Sequence, residues 1–161
     1  MEKKTFLALI AILLVAGSMA CAYAAQATFD SLNFDVPDDF KVDNTNDTAV
    51  VLKDDKKTIM VSKDIIGEDA VNAFLTSQGF KFVETNHCNT TVSGTQSGTF
   101  TYDMNTYAKT GAGAAAYFLV KDNANYTVIA IDNNVDADDN FKTSDVCDAA
   151  EEVVKAIMLA K

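Results

Sequence analysis

Phe100, Tyr102 and Met104 alternate with Thr99, Thr101 and Asp103. Side chains two residues apart share one face of a strand, so this alternation describes a strand dry on one face and wet on the other. Phe80 and Phe82 show the same period, in a strand running to about Asn86. Residues 114–121 and 126–132 read as a further pair of strands, turned at Asp122-Asn123. Upstream, residues 32–36 alternate until Pro37-Asp38-Asp39 ends them. Residues 48–53 and Lys57–Lys63 read as a hairpin about Asp54-Asp55, with Ile59 and Val61 on one face. Antiparallel strands with one solvated face leave this signature, and it commits most of the chain to an antiparallel sheet.

Two segments break the period. Val71, Phe74, Leu75 and Gln78 recur at helical spacing from about Glu68, with Glu68 and Asp69 at the positive end of the helix dipole and Gly79 as a stop. A second helix is expected from about Asp145 to Leu159. Val146, Ala150, Val153 and Ile157 form its apolar stripe, flanked by Ala149 and Val154, with Ser144 as its N-cap. The expected fold is therefore α+β: an antiparallel sheet of about six or seven strands, with a middle helix and a C-terminal helix packed on it.

The first 24 residues stand outside that fold. Lys3-Lys4 precedes an unbroken apolar run from Phe6 to Ala16, and Ala22-Tyr23-Ala24 fits the small-residue rule for signal cleavage. Cleavage is expected between Ala24 and Ala25, leaving residues 25–161 as one exported domain whose first few residues, 25–28, read as a frayed leader. The run is short for a membrane span, which needs about 20 residues. Membrane attachment is expected only if the signal stays uncleaved or Cys21 is lipidated, and Ser18-Met19-Ala20 departs from the usual lipobox.

Export changes the reading of the cysteines. With Cys21 removed, Cys88 and Cys147 remain, and two cysteines in an exported domain are most simply one disulfide, with two buried thiols as the alternative. The net charge of −10 repels phosphate backbones, and every basic residue is Lys, so nucleic acid is not an expected partner.

The stretch Phe34-Asp35-Val36-Pro37-Asp38-Asp39-Phe40-Lys41-Val42, followed by the hairpin, the middle helix and the closing helix, resembles the PsbP-like and DcrB-like superfamily of small α/β/α sandwich domains. The resemblance covers about residues 34–158. Family members usually carry Gly before the aromatic, where this chain has Asp39. It implies an extracytoplasmic, often non-enzymatic accessory or binding module, and it brings no functional residues with it.

Candidate sites are few. His87 is the only histidine, and adjacent residues on a strand point to opposite faces, so Cys88 and His87 do not make a nucleophile–base pair. Asp132, Asn134 and Asp136 sit at positions one, three and five of a calcium-type loop with Asp138 close behind, but Ala137 and Thr143 replace its Gly and Glu. Gly111-Ala112-Gly113 opens a strand rather than a helix, so it offers no dinucleotide cradle. Asn46, Asn89 and Asn125 each begin an N-x-[ST] triplet, open to glycosylation where a host has the machinery. No cofactor is expected. The sequence points to a non-enzymatic envelope module with an extracytoplasmic partner. A carboxylate-type extracellular enzyme and a calcium-dependent surface protein are the alternatives.

Overall fold

The computed structural model describes residues 26–29, 32–64, 66–92, 98–134 and 145–160. The cleavage site at Ala24 and Ala25, Cys21, and the calcium candidates Asp136 and Asp138 lie outside these residues. Among the described residues, no helix is long and apolar enough to cross a membrane.

Among the described residues, nine strands and two helices follow in the order β1 (Gln26–Phe29), β2 (Leu32–Asp35), β3 (Lys41–Asn46), β4 (Ala49–Lys53), β5 (Lys57–Lys63), α1 (Glu68–Ser77), β6 (Lys81–Val92), β7 (Gly98–Lys109), β8 (Ala112–Lys121), β9 (Ala124–Asp132) and α2 (Asp145–Leu159). The class is α+β. Seven strands form one sheet in the order β3-β4-β5-β9-β8-β7-β6, with every neighbour antiparallel, while β1 and β2 pair separately.

The order resolves into two meanders. β3-β4-β5 and β6-β7-β8-β9 each pair consecutive strands, and β5 meets β9 along Lys57–Lys63 to join them. Tight turns set the registers. Asp122 and Asn123 both have positive φ (51° and 63°), which the two-residue primed hairpin turn demands and which short polar side chains tolerate. α1 stops at Gly79, whose φ of +85° releases the chain into β6.

Buried residues of the central strands divide into two cores. One core joins Val50, Leu52, Ile59, Val61, Tyr117 and Val128 with Val146, Ala150, Val153 and Ile157 of α2 and with Phe29 and Phe34 of the small sheet. The other joins Val51, Met60, Ala114, Ala116 and Ile129 with Val71, Phe74 and Leu75 of α1. Strand alternation separates the two sets: Val50 and Leu52 face α2, and Val51 between them faces α1.

Two strands depart from the sequence reading. Residues 26–29 are not a frayed leader but β1, paired from Gln26↔Asp35 to Phe29↔Leu32, with Ala27 and Phe29 buried. Residues 41–46, to which the sequence pattern assigns no strand, form β3. It carries little apolar side-chain signal because it lies at the sheet edge and is held by its ladder to β4. β6 also runs well past Asn86, through His87 and Cys88 to Val92.

Candidate functional site

The chain between β2 and β3 turns sharply. Phe40 N–H donates to the Pro37 carbonyl at 3.1 Å, and Asp39 sits in the left-handed region at φ 71°. Pro37 and Phe40 are buried, whereas Asp38 and Asp39 face solvent. This turn, with Asp35 before it, forms one wall of an open cleft of about 400 Å³. The opposite wall is the first turns of α2, where Asp148 and Glu152 are exposed four residues apart on one helical face. Lys57, at the start of β5, is the one basic residue of the lining.

Five carboxylates thus border this cleft: Asp35, Asp38, Asp39, Asp148 and Glu152. Their buried neighbours fix the walls, because Phe40 and Ala149 belong to the core that α2 shares with the sheet. Among the described residues, no group of three or more His, Cys, Asp or Glu converges closely enough to hold a metal ion. The negative charge is therefore spread around a rim. A rim of this kind matches an ammonium or guanidinium group better than a bare ion that needs six to eight close oxygens.

The sites read from sequence are dispersed. Cys88 and Cys147 are not joined in a disulfide. Cys88 lies directly across the ladder from Tyr102, the Cys147 thiol acts on the Tyr117 hydroxyl, and the two tyrosine rings pack 5.9 Å apart. The four side chains therefore run in the order Cys88, Tyr102, Tyr117, Cys147. Burial is the main reason that both tyrosine hydroxyls hold their protons more tightly than usual, with Tyr102 pushed up to about 12.

His87 pairs across the ladder with Asp103, its Nδ1 lying 2.5 Å from the carboxylate, and both side chains are largely exposed. Cys88 faces the α2 core while His87 points to the other side of the strand. The next rung carries a polar chain inward: Thr85 donates to Asn105 Oδ1 at 2.7 Å, Asn105 donates to Glu68 at 2.8 Å, and Tyr107 donates to Asn72. This network ties α1 to β6 and β7.

Of the calcium-loop candidates within the described residues, Asp132 is buried and accepts the Asn134 backbone N–H at 2.8 Å, forming a local turn. The sequon asparagines Asn46, Asn89 and Asn125 are all exposed. Asn46 already accepts bonds from the Thr48 hydroxyl and from the backbone N–H groups of Thr48 and Ala49. Thr127, the hydroxyl residue of the third sequon, is buried and donates to the Ile66 carbonyl at 2.6 Å.

No family model matches the chain, and no curated protein matches it.

Proposed function

We propose that the mature chain is an exported, non-enzymatic binding module of the cell envelope, and that the cleft between the Pro37–Phe40 turn and α2 receives a positively charged group of its partner. The observation that carries this reading is the lining itself, with five carboxylates and a single lysine around an open hollow. A basic side chain entering there replaces water with several partial ion pairs, and its attraction is screened by salt. The apolar N-terminal run and its Ala22-Tyr23-Ala24 boundary support export, which leaves the cleft to act outside the cytoplasm.

A kinship with the PsbP-like and DcrB-like sandwich domains belongs to the same proposal. Two features favour it: a helix against each face of the sheet, and a left-handed residue at Asp39, where those domains carry Gly.

The test uses an oligolysine peptide as probe, titrated by calorimetry into the secreted protein at low and at physiological salt. Binding should weaken with salt and fall about tenfold or more in the D38N/D148N/E152Q variant, because three of the five rim charges are gone. No binding by the wild type, or equal binding by the variant, would sink the cleft as the docking point.

A further inference from the structure

We propose that Cys88, Tyr102, Tyr117 and Cys147 form a path for one-electron oxidation, along which a radical made at the partly exposed Cys88 reaches the Cys147 thiol in the core. The proposal owes nothing to the acidic cleft.

The four side chains belong to one core and span its depth. Cys88 is partly exposed, Tyr102 is 7% exposed, and Tyr117 and Cys147 are closed to solvent. Cys88 and Tyr102 are ladder partners on neighbouring strands, so their side chains leave the sheet side by side on the α2 face. Tyr102 and Tyr117 pack with ring centroids 5.9 Å apart, inclined at 51°. The Cys147 thiol lies beside the Tyr117 hydroxyl, which has no hydrogen bond of ordinary geometry to tie it elsewhere. One turn further along α2, the Glu151 carboxylate acts on both tyrosine hydroxyls. β6, β7, β8 and α2 each supply one member, so the path exists only in the folded chain.

Thiols and phenols are readily oxidised by one electron, and their S–H and O–H bonds are of similar strength. A radical therefore passes between them close to balance, and in this core it must pass as a neutral unit. Burial chiefly, with the Glu151 carboxylate adding to it, disfavours a phenolate at either tyrosine. A tyrosine that lost an electron but kept its proton would be a buried cation, which is also costly.

The first step needs an outer-sphere one-electron oxidant, which takes an electron from Cys88. The thiol proton goes to water and a thiyl radical remains. Tyr102 gives that radical a hydrogen atom, restoring the thiol and leaving a tyrosyl radical. Tyr117 then passes Tyr102 an electron through the packed rings, while Glu151 takes the proton of Tyr117 and returns one to Tyr102. Cys147 gives Tyr117 a hydrogen atom in turn. The net loss is one electron and one proton, and the thiyl radical ends at Cys147.

The experiment oxidises the natively expressed, reduced protein with photo-oxidised ruthenium tris-bipyridine, a complex too bulky to enter the core. Oxygen is then admitted to fix thiyl radicals as cysteine oxyacids, which peptide mapping locates. Wild type should carry oxidation at Cys147, although that residue is 1% exposed. Y102F and Y117F keep the rings but remove an O–H, so each should lose oxidation at Cys147 and retain it at Cys88, where the radical is stranded. Maleimide labelling of Cys147, slow in a closed core, shows whether either variant has opened; if one has, the other decides. An unoxidised Cys147 in the wild type overturns the proposal. So does a closed variant that oxidises Cys147 as the wild type does, or one that loses oxidation at Cys88 as well.

Discussion

Tyr117 carries a hydroxyl into the core beneath α2. The ring is fully buried, yet the hydroxyl makes no hydrogen bond of ordinary geometry, and the Cys147 thiol beside it is a weak partner. A buried, poorly satisfied hydroxyl costs stability, and removing it while keeping the ring relieves that cost. Y117F should therefore unfold at an unchanged or higher denaturant concentration, with a gain of up to about 1 kcal/mol. A loss of more than that would mean the hydroxyl has a stronger partner than the thiol. Single residues were legible in the sequence where the backbone alone sets the requirement, as at Asp122-Asn123 and Gly79. The cleft was not legible, because Asp35 and Asp148 are distant in sequence and meet only once α2 docks. The tyrosines that link Cys88 to Cys147 were hidden for the same reason, since a cross-sheet neighbour leaves no trace in spacing.

α2 shows how an element is held at its end as well as along its face. Its apolar stripe was plain from periodicity, and Val146, Ala150, Val153 and Ile157 are all fully buried. Its C-terminal carbonyls are met from the sheet. Lys121, at the end of β8, donates from Nζ to the Ile157 carbonyl at 3.0 Å and to that of Ala160. A cation there also meets the negative end of the helix dipole. K121M keeps the buried stem and removes the donor, so it should cost about 1–2 kcal/mol in equilibrium unfolding and speed amide exchange in the last turn. A K121M protein as stable as wild type, with its last turn still protected, would show that packing alone holds the helix end. Strands were less evenly legible than helices. β7 shows its two faces openly, but β3 has the sequence Lys41-Val42-Asp43-Asn44-Thr45-Asn46 and almost no apolar side to signal. β1 is four residues long and gains its meaning only from β2, against which Ala27 and Phe29 are buried.

For the molecule as a whole, the buried tyrosines are a source of alkaline sensitivity. Burial is the main cause raising Tyr102, Tyr107 and Tyr117, with Tyr102 pushed up to about 12. The unfolded chain gives up these protons near pH 10 and the folded chain later, so the folded state binds more protons above that point. Stability should thus be untouched by the tyrosines up to about pH 10, then fall as pH rises towards and beyond 12. Denaturant melts at stepped pH, with tyrosinate absorbance followed alongside, would show the two changes together. Tyrosines that ionise at the ordinary value while the fold persists would contradict it.

The joining of two meanders at β5 and β9 also bears on how quickly the chain reaches its native state. Within each meander, neighbouring strands are near in sequence and can zip from their turns with little loss of chain entropy. The Lys57↔Asp132 to Lys63↔Tyr126 contacts instead close a loop that holds α1 and three whole strands. That closure sets the contact order of the molecule, so the central seam, and not either edge, is where assembly is slowest.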